Sequence, residues 1–264
     1  MDTYTHGHHR SVVAHHGSRT AEDSAAFLLP HLKPGKRLLD VGCGPGSITA
    51  GLARRVVPGR VVGIDVADSI LKTARAAVAD LPNVEIHPGS VYDLGFEDAS
   101  FDVVFAHQVL QHLTDPVRAL REMARVAAPG GIVAVRDVDY ATFAWHPPHP
   151  KLTRWLELYH QVTSHNDAQA DAGRYLLSWS LEAGLEDVTV STSSWSYGDP
   201  AGRAFWGDGW VERSTQSAFA RQALEYGLSD TAELREISEA WAWWREQPDG
   251  YLAMMHTEVL ARVV

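Results

Sequence analysis

The sequence predicts an α/β fold, a doubly wound and mostly parallel sheet of seven strands. Three observations predict it: apolar strand-length runs alternate with helical stretches, a glycine turn follows the first run, and the second run ends in a carboxylate. Alternation of this kind makes consecutive strands parallel, because each crossover carries a helix back over the sheet. The first strand, at 37–41, breaks into Val41-Gly42-Cys43-Gly44-Pro45-Gly46. Glycine at 42, 44 and 46 allows positive φ and removes the Cβ atoms that would hold a ligand off the backbone, while the next helix presents free N–H groups. The second strand, Val61-Val62-Gly63-Ile64-Asp65, places Asp65 about twenty residues beyond the glycines, where a parallel sheet sets an acid against a ribose. Its two oxygens can accept from both ribose hydroxyls. Asp68 reads instead as the N-cap of the next helix.

Further strands are expected at 84–87, 101–106 and 131–137. Helices are expected over Ser69 to Ala79 and after Thr114-Asp115-Pro116, where an acid followed by proline is a start signal. Later, Gly173 to Ala183 reads as a helix closed by Gly184, Val188-Thr189-Val190-Ser191 as a sixth strand, and Met254 to Val263 as the last.

The 264 residues suit a single domain with one large core. Within it, 1–35 reads as an N-terminal flap and first helix, 36–139 as a ligand-binding core, and 140–172 and 198–248 as helical insertions over the sheet ends. All nine tryptophans lie at or beyond Trp145. Two readings follow: a lid whose rings enclose an apolar or aromatic molecule, or packing, as for Ile237, Trp241 and Trp244 on one helical face. A single cysteine, Cys43, excludes a disulfide framework and reads as a small filler of the turn. No apolar run reaches a membrane span, and the polar first twenty residues do not resemble a signal peptide, so a soluble, cytoplasmic protein with no membrane partner is expected. A formal net charge of −10 with only four lysines argues against a nucleic-acid substrate. Arg118, Arg121 and Arg125 read as a solvated helix face.

Leu39-Asp40-Val41-Gly42-Cys43-Gly44-Pro45-Gly46, then Gly63-Ile64-Asp65, then residues 98–105 (DASFDVVF), then Pro129-Gly130-Gly131 resemble the successive motifs of class I S-adenosylmethionine-dependent methyltransferases. The likeness spans roughly 36–137 and is nearest to the ubiquinone/menaquinone-biosynthesis type. A dinucleotide dehydrogenase would want its third glycine at 47, which is Ser47. The resemblance implies a Rossmann-like sheet with an antiparallel last strand and S-adenosyl-L-methionine as cofactor. It implies that Gly42, Gly44 and Gly46 pass beneath the methionine and ribose, that Asp65 holds the ribose and that Val66 contacts the adenine. Ser90 stands where the family often carries an acid for the adenine amino group, and Val91 offers its N–H. The carbonyl of His107 would face the cofactor's ammonium, and Arg19 its carboxylate.

A sulfonium makes the attached methyl carbon electrophilic, so transfer needs a nucleophile held in line, and oxygen or acidic carbon nucleophiles usually need a base. His112 and His107 lead as that base, with Tyr140, His146 and His149 behind them. Residues 145–150 (WHPPHP) follow the fifth strand, not the fourth, and read as a rigid loop, not as the Pro-Pro-aromatic motif of amino-group methyltransferases. His6, His8, His9, His15 and His16 lack closed-site spacing, so no metal is expected; they read as part of the flap, with His15 or His16 near the methyl group. The expected activity is methyl transfer to a small, apolar or aromatic molecule, oxygen or carbon favoured over nitrogen. Two alternatives stay open: a protein that binds the cofactor but promotes another reaction, and a nonenzymatic partner-binding module.

Overall fold

A computed structural model describes residues 2–7 and 9–263. Strand β1 (Leu38–Val41) is buried throughout, and β2 (Val61–Asp65), β3 (Val84–Pro88), β4 (Phe101–His107), β5 (Ala127–His146), β6 (Glu186–Tyr197) and β7 (Tyr251–Arg262) complete one sheet. The order is β3-β2-β1-β4-β5-β7-β6. β1 to β5 are mutually parallel, and β7 lies antiparallel between β5 and β6, as the resemblance implies. The chain reverses direction across the sheet between β1 and β4, which leaves a crevice at the carboxyl ends of these strands.

Helices α1 (Arg10–Gly17), α2 (Ala21–Ser24), α3 (Ser47–Val56), α4 (Asp68–Ala77) and α5 (Pro116–Val126) belong to the first part of the chain. The helix α5 begins as expected: Asp115 caps it by accepting from the Arg118 N–H (2.9 Å), and Pro116 fills the first turn. Its stripe Val117, Leu120, Met123 and Val126 is buried against the sheet. Then come α6 (Pro150–His165), α7 (Leu176–Glu182), α8 (Pro200–Gln216), α9 (Ala218–Glu225) and α10 (Thr231–Arg245). Asp199 caps α8 and Asp230 caps α10, each accepting a backbone N–H three residues on.

Three expectations need correction. Asp68 is the first residue of α4 and not its cap: Ala67 stands at the N-cap, and no side chain caps this helix. The fifth strand runs far beyond 131–137, so residues 140–146 are sheet and not lid: past a bulge at Asp139/Ala144 they go on pairing with β7. The helix expected over 173–183 divides into a 3-10 turn at Ala172–Tyr175 and then α7, and Gly184 closes it at φ +87°. The layer formed by α6, α8, α9 and α10 has a core of its own, with Trp155, Trp210, Trp241 and Trp244 fully buried. Between β5 and β7 the cross-strand pair Arg136 and Glu258 forms a buried ion pair (3.3 Å), and Ser191 and Ser193 donate to the carboxylate. No helix among the described residues is long and apolar enough to cross a membrane.

Candidate functional site

The glycine turn shapes the first wall. Gly42, Gly44 and Gly46 all have positive φ (+69°, +52° and +85°). A Cβ on Gly42 would meet the Val109 side chain at 2.4 Å, whereas a Cβ on Gly44 would meet nothing within 4 Å, so the open side of the turn faces space. Gly46 serves the turn instead: it caps α3 close to the Ala74 backbone and does not line the cavity. At the end of β2, Asp65 accepts from the Gly44 N–H (3.1 Å) through Oδ2 and from the Ala67 N–H (3.0 Å) through Oδ1. Those bonds fix the carboxylate while each oxygen keeps acceptor capacity. Val66 is 73% exposed at the rim, an apolar surface that a flat ring would cover.

These groups, with Ser90, Val91, His107 and His112, line a cavity of about 200 Å³ over the strand ends. Asp40 forms part of its floor; burial pushes its carboxyl up to about 7, against the bond it accepts from Thr49 Oγ1 (2.6 Å). The Cys43 thiol is pushed far up by burial, which makes it inert as a nucleophile.

A second cavity, about 320 Å³, adjoins the first, and His16, Arg19 and Gln108 line both. Its walls come from α1, β5, β6 and α8, with Tyr140, Trp195, Tyr197 and Trp206 as aromatic surface. At the junction Gln108 has φ +54°, a left-handed conformation uncommon outside glycine, held by its N–H bond to the Arg136 carbonyl (2.7 Å). The Arg19 guanidinium stands 5.2 Å over the Trp195 ring, and no described carboxylate pairs with it. The N-terminal residues close over this region: Asp2 accepts from Thr114 Oγ1 (2.7 Å), His6 Nε2 lies 3.0 Å from the Tyr159 hydroxyl, and His15 Nε2 lies 2.7 Å from the Phe205 carbonyl.

The two histidines singled out from sequence both line the first cavity and neither lines the second. His112 Nδ1 is buried without a hydrogen-bond partner, and burial, helped by Arg19, pushes the imidazole down to about 3. His107 Nε2 is likewise unpartnered; burial and the Arg136 cation hold this ring far below its usual range. Both are therefore neutral at neutral pH. The histidines on the second cavity are His6, His15 and His16, all pushed down first by burial. His16 reaches both cavities, whereas His15 stacks on Phe205 (3.8 Å). Tyr140 lines the second cavity, but His146, paired with exposed Asp249, and His149, the cap of α6, lie on neither. Among the described residues no three His, Cys, Asp or Glu converge on a metal position, and His8 lies outside those residues.

Sequence reasoning missed Asp40, Gln108 and Arg213. The signal for Arg213 was available: Trp206, Trp210 and Arg213 follow at helical spacing, which puts a cation on the buried face of α8.

Residues 39–135 match the model of a methyltransferase domain. An uncharacterized methyltransferase of Schizosaccharomyces pombe is 31% identical over 268 residues, which cover 97% of this chain and 95% of the relative. A demethylmenaquinone methyltransferase of Staphylococcus aureus (strain JH9) is 38% identical over 112 residues, 42% of this chain and 46% of the relative. Among solved structures, phosphoethanolamine N-methyltransferase 2 of Haemonchus contortus, in complex with S-adenosyl-L-methionine, shares the fold at a TM-score of 0.54 and 18% identity, over 88% of this chain and 49% of that one.

Proposed function

This chain belongs to the class I methyltransferases, and on that premise we propose that it transfers the methyl group of S-adenosylmethionine to a small aromatic molecule through an oxygen or carbon acceptor. The observation that carries the reading is the pair of adjoining cavities that meet at His16, Arg19 and Gln108, one over the glycine turn and one between aromatic walls. The open face of Gly44 and the fixed carboxylate of Asp65 fit the cofactor, whose solved complex with a protein of the same fold supports the choice.

In this reading Gly42 and Gly44 let the backbone run beneath the methionine and ribose, Asp65 takes the ribose hydroxyls, and Val66 packs on the adenine. Ser90 and Val91 bind the base edge, the His107 carbonyl takes the ammonium, and Arg19 takes the carboxylate. Gly46 contributes through the turn and not by contact. When bound, S-adenosylmethionine supplies a methyl carbon made electrophilic by the sulfonium. The chain's own part is to hold the acceptor in line, exclude water with Trp195, Tyr197 and Trp206, and accept a proton at the unpartnered Nδ1 of His112 on the wall of the first cavity. Of the two insertions, 198–248 supplies the lid side chains, Phe205, Trp206 and Arg213, that reach the second cavity. The likeness to the demethylmenaquinone methyltransferase covers 42% of this chain, so the ubiquinone/menaquinone type is carried here as part of the proposal and names no substrate.

The test is incubation with S-adenosylmethionine and a panel of phenols, hydroquinones and aromatic amines, read by mass spectrometry. A methyl gain on the hydroxylated rings supports the proposal. Methylation confined to the amines, or none while S-adenosylhomocysteine still binds, would overturn the acceptor or the transfer respectively.

A further inference from the structure

Two buried arginines differ sharply in their company. Arg136 is fully buried and carries its own counter-ion, Glu258, held by Ser191 and Ser193. Arg213, on α8, is 5% exposed and lines the second cavity, yet no described carboxylate lies within ion-pair distance of it. Its contacts are the Ser11 carbonyl, which accepts from Nη2 at 3.3 Å, and the face of Trp210, 5.5 Å from the guanidinium carbon. Its Nε is buried with no hydrogen-bond partner. Burial lowers Arg213 only to about 10, so it stays cationic at neutral pH. A buried charge without a counter-ion is costly to keep, and such groups are normally paired.

The surroundings supply no anion paired with Arg213. The neighbouring imidazoles of His6, His15 and His16 are held neutral, in part by Arg213 and Arg19. Asp23 is the carboxylate on this wall, but it is held at the start of α2 by the Thr20 N–H (3.1 Å) and Ser24 Oγ (2.5 Å) and makes no ion pair with Arg213. Tyr140, whose hydroxyl is 3.4 Å from His6 Nε2, and Tyr197 add hydroxyls beside flat ring surface.

We propose that the second cavity is an anion-binding acceptor site, in which an aromatic molecule lies between the ring walls with an ionised oxygen, phenolate or carboxylate, on the Arg213 guanidinium. This rests on the methyltransferase reading and narrows its substrate class. Arg19 is left for the cofactor, so each arginine has one anion. A guanidinium recognises a carboxylate or phenolate through paired N–H donors, and the unpartnered Nε is the donor such an anion would take.

The test uses the full chain saturated with S-adenosylhomocysteine, titrated calorimetrically with benzoate, 4-nitrophenol above its ionisation, and methyl benzoate. Affinity for the homocysteine nucleoside is measured first, and its failure would count against the cofactor reading, not against the anion site. With that nucleoside bound, benzoate or nitrophenolate should bind at least about tenfold more tightly than the neutral ester, as a charge-assisted bond requires. Preference for nitrophenolate over benzoate would identify the anion as the reacting hydroxyl, and the reverse as an anchoring carboxylate. Arg213→Gln should abolish the preference while the nucleoside affinity holds, and Arg213→Lys should restore part of it. Equal binding of ester and anions by the native protein, which needs no variant to fold, would overturn the proposal. So would a preference that survives in Arg213→Gln.

Discussion

The half of the molecule around β1 to β4 and the layer made by α6, α8, α9 and α10 use their residues in opposite ways. In the first, small residues keep backbone close to open space, as at Gly44, and the polar groups at the strand ends face a cavity. In the second, the largest side chains are mortar: Trp155, Trp210 and Trp241 pack ring edge against ring face at 4.6 and 4.9 Å around Trp155. The indole Nε1 atoms of Trp155, Trp210 and Trp241 are buried without partners, so these rings contribute through their faces and edges and not through hydrogen bonds. Aromatic enrichment therefore marks a second core, and the second cavity lies at the seam between the two regions, where Trp195, Tyr197 and Trp206 form the walls.

The largest effect should come from the first region, whose cavity His112 lines. If His112 accepts the acceptor's proton, His112→Gln should lower turnover by about 10²–10⁴ while leaving nucleoside affinity within a few-fold. Steady-state kinetics beside calorimetry check this, and equal losses in both would assign the ring a structural role. In the helical layer, Trp210→Ala should destabilise by about 3–5 kcal/mol in urea unfolding, because it empties the centre of that core. A loss below about 1 kcal/mol would break the distinction between the regions.

Acid should act on the buried imidazoles and on the buried carboxyls with opposite sign. His112 and His15 are each pushed down to about 3 in the folded protein from an ordinary value of 6.5. Their stabilising contribution is therefore complete above that ordinary value and is lost as pH falls from there toward the folded values, at up to about 1.4 kcal/mol per pH unit for each ring. Asp40 is raised to about 7 from 3.8, so its contribution is present below the ordinary value and lost as pH rises through the folded one. Chemical unfolding from pH 4 to 8 should show stability rising with pH overall, because six buried histidines, His6, His15, His16, His107, His112 and His256, outweigh the two buried carboxyls, Asp40 and Asp137. In Asp40→Asn the rise should be steeper above pH 5, and an unchanged slope would contradict the assignment. The smallest effect sharpens the comparison within a single turn of α10: Trp243, 38% exposed, should cost less than about 1 kcal/mol on truncation to alanine. Its buried neighbour Trp244 should cost several times more by the same measurement.

Much of the first region was legible because its signals are local. The runs that became β1, β2 and β4 end within a residue or two of their expected limits, since a glycine, an acid or a polar turn stops each. Asp65 was legible because a parallel sheet fixes where the end of β2 must lie relative to the glycine turn. The extension of β5 to His146 was not, because Asp139 and Tyr140 look like a strand's end until β7 is present to pair with them. Nor was the destination of Arg213: helical spacing puts it on the face of Trp206 and Trp210, but only tertiary packing decides whether that face meets a core or a cavity. His112 and His107 were found by position in the fold, yet their neutrality depends on burial and on Arg19 and Arg136, which sequence separation conceals.

The central claim is that the cavity over the glycine turn holds S-adenosylmethionine through Asp65. Calorimetric titration of the native protein and of Asp65→Ala with S-adenosylmethionine, S-adenosylhomocysteine and NAD tests it most directly. The account predicts binding of both sulfur nucleosides and not NAD, weakened about 10- to 100-fold in a folded Asp65→Ala variant by loss of charge-assisted bonds. Undiminished binding in that variant, or no binding of either sulfur nucleoside by the folded native protein, would contradict it.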